Sequence, residues 1–141
     1  MADKEALKAK LLPKFKAQQF GFEDLADALQ LMCELGNTEE DFQDEYEDFT
    51  KTYQFAVSDK PESDWMWLKV EKGKFSCGKG KIDKKDLTFT MTAQLAADMI
   101  SGKVNSNSAF LSGQLKLDGS VKDGAKFQGM QAIMRDVLGL D

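Results

Sequence analysis

The chain contains no histidine. Its absence removes the commonest general base, the imidazole of any catalytic triad or dyad, and the commonest metal ligand, which closes off most hydrolase and zinc chemistries. Cysteine is nearly as scarce: Cys33 and Cys77 fit neither a C-x-x-C pair nor a metal-ligand spacing. Free thiols are expected, with no metal or cofactor. No apolar run approaches the roughly 20 residues of a membrane-spanning helix. There is no N-x-S/T acceptor, internal repeat or long Gly/Ser linker, and the leading MADKEALKAK has no apolar signal core, so a cytoplasmic location is expected. What is present is the composition of a globular core: 141 residues, 42% hydrophobic and 30% charged. That length suits one domain, 1–141.

The net charge of −5 is unevenly laid out: residues 1–20 carry +3, residues 21–50 carry −11 with no Lys or Arg, and residues 51–141 carry +3. A nearly balanced body lacks the positive face of a nucleic-acid binder, so no nucleic-acid partner is expected. The acidic stretch, with Glu39, Glu40, Asp41 and Asp44, reads either as a solvated face or as a docking surface for a basic protein partner. Lys4, Lys8, Lys10, Lys14 and Lys16 interleave with Leu7, Leu11 and Phe15. This pattern fits a packed helix with a solvated lysine face, or one in transient contact with an anionic membrane surface.

The spacing predicts a helix capped by Asp3 and broken near Leu12, where Pro13 lacks an N–H. A second helix follows Gly21, with Phe22, Leu25, Ala26, Leu29, Met32 and Cys33 on one face and Gly36 ending it. A short acidic helix between Thr38 and Phe49 completes a helical part, 1–50. From Lys51 the period changes to two. Tyr53, Phe55 and Val57 alternate along one strand, Met66, Leu68 and Val70 along the next, Phe75 and Cys77 along a third, and Leu87, Phe89 and Met91 along a fourth. A four-stranded antiparallel sheet is the economical arrangement. Helices are expected at Leu95–Ile100 and from Phe127 to Leu138, with a helical turn at Ser106–Ser112 and a short fifth strand at Leu115 and Leu117.

Two catalytic readings fail on the residues. GKFSCGKG, residues 73–80, nearly matches a phosphate loop, but Gly80 stands where Ser or Thr would hold Mg²⁺ and no helix pattern follows. Cys77 lies beside Lys79 and Lys81, yet no histidine is available as its base.

AFLSGQLKLDG (109–119), followed by KFQGMQAIM (126–134), resembles the most specific stretch of the sterol carrier protein 2 family. DLTFTMT with TAQLAADMISGK looks like that family's fourth strand and next helix, and WMWLKVEKGK like its second strand and turn. The resemblance spans about Lys51 to Leu138 and departs at Gln114, at Gly129, which interrupts the last helix, and in the longer, more acidic first 50 residues. It implies an α+β fold, a five-stranded mixed sheet covered on one face by helices, with a lipid-binding core at 51–141 behind an acidic helical extension.

The same resemblance implies an apolar tunnel and therefore no enzyme: noncatalytic binding and transfer of a fatty acid, acyl-CoA, sterol or phospholipid. Candidate wall residues are Phe55, Met66, Leu68, Phe89 and Met91 from strands, and Met99, Ile100, Phe110, Leu111, Phe127, Met130 and Met134 from helices. By periodicity alone they are an ordinary core; methionine among them would adapt to varied ligand shapes. Lys103, Lys116 or Lys126 would meet an anionic headgroup at the mouth, or are solvated surface lysines. The alternatives are a scaffold or accessory subunit with a collapsed interior, docking through its acidic segment, and a module presenting lipid to an enzyme.

Overall fold

The computed structural model describes residues 3–140. The first helix, α1 (Lys4–Ala17), is capped by the Asp3 carboxylate, which accepts from the Ala6 N–H at 2.8 Å. It does not break near Leu12. Pro13 faces solvent and so does Ala9, whose carbonyl loses its helical partner, so water can satisfy the freed acceptor. Leu7, Leu11 and Phe15 are buried, while Lys14 pairs with Asp24 at 2.8 Å and Lys10 pairs with Asp27. The apolar edge of α1 is therefore used in packing.

A single 3-10 turn, Phe22–Asp24, leads into α2 (Leu25–Thr38). Gly36 does not end this helix. It makes room for the Phe75 ring, which lies 2.5 Å from where a Cβ would stand. The short α3 (Glu40–Tyr46) buries Phe42 and Tyr46 and leaves its acids outward.

The sheet holds β1 (Thr50–Val57), β2 (Met66–Glu71), β3 (Lys74–Lys79), β4 (Leu87–Met91) and β5 (Lys116–Asp118), in the order β3-β2-β1-β4-β5. The five-stranded sheet is mixed, as the family resemblance implies, and departs from the antiparallel arrangement expected from alternation alone: β1 and β4 run parallel, and the other neighbours antiparallel. Alternation sets which face a residue occupies but not which way its strand runs. After the Lys72-Gly73 turn, both residues at positive φ, β3 ends and residues 80–86 return along the helix-free face to start β4 beside β1. Gln54 holds that return. Buried on the face opposite Tyr53 and Phe55, its amide donates to the Met66 carbonyl at 2.9 Å and the Gly80 carbonyl at 3.1 Å, and accepts from the Ile82 N–H at 2.8 Å.

The remaining elements are α4 (Ala93–Ser101), capped by Thr92 and ended at Gly102 in the left-handed region, the short α5 (Ser106–Leu111) and α6 (Val121–Val137). Contrary to expectation, Gly129 does not interrupt α6, which runs through it unbroken. The helices gather on the sheet face that carries Tyr53, Phe55, Leu68 and Phe89. Buried apolar residues form one cluster from Leu7 to Leu138, so the first 50 residues and the remainder share a core.

Candidate functional site

Strand register lays a row of side chains across four strands. Met66 faces Phe55, Phe55 faces Phe89, and Phe89 faces Leu117, with Val57 beside Met91 one step further along. The Phe55 and Phe89 rings are nearly parallel with centroids 5.7 Å apart, and Phe127 of α6 tilts against both, at 5.1 and 5.6 Å. This aromatic floor is held from the side by Tyr53. Its hydroxyl donates to the Asp123 carbonyl at 2.8 Å, and Lys51 pairs with the Asp123 carboxylate at 3.4 Å.

Above the floor the helices do not close. A cavity of about 130 Å³ remains, with Leu25 and Leu29 of α2 and Ala96, Met99 and Ile100 of α4 on one side. α5 contributes Ser106, Asn107 and Phe110. From α6 come Val121, Gly124, Ala125, Gln128 and Gln131, a stripe at i, i+3, i+4, i+7 and i+10. No side chain on the wall is ionisable. Gly124 contributes width: an added Cβ would meet Leu117 only at 3.5 Å, an ordinary contact, so the missing side chain is empty space.

Of the twelve wall residues expected from sequence, Phe55, Met66, Phe89, Met91, Met99, Ile100, Phe110 and Phe127 border this cavity. Leu68, Met130 and Met134 do not. All three are fully buried in filled packing, Leu68 opposite Tyr53 on the neighbouring strand and the two methionines on the face of α6 turned from the cavity stripe toward α2 and α3. Leu111 is 83% exposed and points out of the fold. Lys103, Lys116 and Lys126 are likewise absent from the wall. The sequence reading missed the polar contributors Ser106, Asn107, Gln128 and Gln131, together with the small residues of α6. A stripe of small and amide residues at helical spacing was the available signal, and it looks like a solvated face.

The other reactive side chains are built into packing. Tyr46 donates to the Lys126 carbonyl at 2.8 Å, and burial, with Glu45 adding, pushes its phenol up to about 12. Burial, then Asp123, also pushes the Tyr53 phenol well above its ordinary value. The neighbouring Cys77 thiol and burial push the Cys33 thiol up, while Cys77 Sγ donates to Gln30 Oε1 at 3.7 Å. Residues 73–80 form the hairpin turn and β3, with no helix following. Among the described residues no cluster of three His, Cys, Asp or Glu could hold a metal ion, and no helix is long and apolar enough to cross a membrane.

Residues 29–132 match the SCP-2 sterol transfer family. Sterol carrier protein 2 of Gallus gallus is 32% identical over 100 residues, covering 66% of this chain and 18% of the relative, so the chain spans under a fifth of that protein's length. The solution structure of sterol carrier protein domain 2 of Helicoverpa armigera superposes with a TM-score of 0.56 at 24% identity, over 75% of this chain and 84% of that one. The solution NMR structure of palmitated SCP2L2 from Aedes aegypti gives 0.53 at 17% identity, over 76% and 90%. At these identities the two structures speak to the fold alone.

Proposed function

The chain belongs to the SCP-2 sterol transfer family, and on that premise we propose that it is a noncatalytic lipid carrier, taking the apolar part of its ligand into the cavity between the sheet and α4, α5 and α6. The observation that carries this reading is the 130 Å³ hollow on the inner sheet face, walled by apolar and uncharged side chains. Carriage needs only reversible burial. No group on that wall has to gain or lose a proton.

Size decides how the ligand enters. An apolar cavity of about 150 Å³ accommodates a benzene ring, so the hollow takes a portion of roughly six carbons. Burying six methylenes at about 0.8 kcal/mol each gives about 5 kcal/mol, short of the roughly 8 kcal/mol of a micromolar complex even before ordering costs. A longer chain therefore displaces part of the cover. Of the helices over the cavity, α5 buries the fewest residues, Ala109 alone, while Phe110 on the cavity wall is 40% exposed and Val121 at the start of α6 is 64% exposed. A flexible acyl chain running out between α5 and α6 fits this opening better than a rigid ring system.

Native mass spectrometry of the protein with acyl chains, acyl-CoA and sterol tests the proposal. A one-to-one adduct with an acyl lipid is expected. A protein that takes up none of the three is not a carrier.

A further inference from the structure

We propose that the cavity rim formed by the end of α5 and the start of α6 docks on the surface of an anionic phospholipid bilayer, so that an acyl ligand passes between membrane and cavity without crossing water. The proposal rests on the carrier reading for its cargo and adds the surface through which the cargo is exchanged.

Leu111, the last residue of α5, is 83% exposed and belongs neither to the core nor to the cavity wall. Its neighbour Phe110 and, on α6, Val121 reach the wall while staying largely exposed. These three are the large hydrophobic side chains left exposed among the described residues. Apolar surface therefore leads from the hollow to the outside at this place.

Charge identifies the occupant. Residues 103–115 and 119–122 hold Lys103 and Lys122 and no acid. Both lysines are exposed, and neither forms an ion pair among the described residues. Lys116 and Asp118 flank the wall residue Leu117 on β5, so strand alternation turns both to the helix-free face, where their charges offset. The acids closest in sequence are engaged: Asp123 pairs with Lys51 at 3.4 Å, and Asp98 accepts from the Gln94 amide at 2.9 Å. The acidic α3 packs on the side of α6 away from the cavity stripe, where Glu45 pairs with Lys126 at 3.3 Å. In a chain of net charge −5, the apolar rim is set among cations. Apolar side chains flanked by lysines suit the headgroup level of an anionic bilayer, the former entering the acyl boundary and the latter meeting phosphates.

Other placements fit less well. On α1, Leu7, Leu11 and Phe15 are buried and Lys10 and Lys14 pair with Asp27 and Asp24, so that helix has no apolar face left to insert. A second copy of the chain would bring two like-charged rims together, and three side chains fall far short of the roughly 20 residues a side of a stable protein interface.

The test is co-sedimentation of the full chain with vesicles of phosphatidylcholine, alone or with about one-third phosphatidylglycerol, beside a titration with palmitate. Binding to the anionic vesicles is expected to be at least tenfold tighter than to the neutral ones, and to fall toward the neutral level in about 0.5 M salt. Leu111→Glu, and separately Lys103→Glu with Lys122→Glu, are each expected to weaken vesicle binding at least tenfold and to leave palmitate affinity within about twofold, because none of the three residues is on the wall. Lys4→Gln, Lys8→Gln and Lys16→Gln together on α1 should matter less than either. Vesicle binding that survives Leu111→Glu, or that is lost through the α1 lysines instead, would overturn the docking surface and leave the carrier reading standing. A dimer in sedimentation velocity that Leu111→Glu converts to monomer would overturn it by giving the rim to a second copy. Vesicle binding at the rim without any uptake of palmitate would overturn the carrier reading and keep the surface.

Discussion

The Tyr46 hydroxyl, which donates to the Lys126 carbonyl, lies 2.9 Å from where a Cβ on Gly129 would stand. The third helix thus grips the middle of α6 through one phenol, and α6 is the helix that carries the cavity stripe. Glycine at this position is a packing requirement. Phe42, Phe49 and Phe75 surround the Tyr46 ring, with centroids between 5.5 and 6.3 Å away, so the phenol has little room to retreat.

Gly129→Ala is expected to destabilise the protein by about 1 to 2 kcal/mol, although alanine is favoured over glycine in a helix interior by about 1 kcal/mol. Adding Tyr46→Phe removes the colliding oxygen, so the double variant should recover part of the loss. Denaturant midpoints of the two single variants and the double variant measure the coupling. Strict additivity would show that the hydroxyl and the glycine do not oppose one another.

Tyr46 also sets an alkaline limit. Its folded value of about 12 lies above the ordinary 10.0, so the unfolded chain ionises first. The stabilisation is complete below the unfolded value, declines as pH rises between the two, and is lost above the folded value; two units correspond to about 2 to 3 kcal/mol. Tyrosinate absorbance should stay small until near the alkaline unfolding transition. Ionisation of both tyrosines near the ordinary value, with the fold intact, would contradict the buried geometry.

Acid acts through Asp24. Burial pushes its carboxyl up, but the hydrogen bonds from Lys14 and from the Gly21 N–H at 2.9 Å, with the charges of Lys14 and Lys10, outweigh burial and hold it below the usual range. Its contribution is present above the unfolded carboxylate value and is lost as pH falls through the lower folded one. Asp24→Asn is expected to cost about 1 to 2 kcal/mol near neutral pH and to flatten the acid limb of stability. Equal losses at neutral and strongly acidic pH would show that the charge is not the operative feature.

The element pattern was legible because faces follow from spacing. Phe55, Met66, Phe89 and Met91 alternate inward, and Met99 and Ile100 share a helical face, so their place around the cavity could be read directly. What was not legible depends on partners distant in sequence. Gly36 looks like a helix end until Phe75 is seen against it, and Gly129 looks like an interruption until Tyr46 is. The parallel pairing of β1 with β4 is set by the return of residues 80–86 and the Gln54 amide, which no local period encodes. Met130 and Met134 read as wall because they share the apolar face of α6 with Phe127, while the Gly124 and Gln128 side reads as solvated. Only packing distinguishes the filled methionine side from the hollow side of Gly124 and Gln128.

The central proposition, that the hollow itself receives the lipid, is tested most directly by filling it. Gly124→Leu puts a side chain into the space beside Leu117, and replaces a helical glycine without a backbone clash. Titration of a long-chain fatty acid such as palmitate into the unchanged chain and into this variant, with thermal unfolding of both, is the measurement. Carriage in the cavity predicts saturable one-to-one binding by the unchanged chain and at least tenfold weaker binding by a variant that unfolds at an equal or higher temperature. Undiminished binding by the filled variant, or none by the unchanged chain, would contradict it.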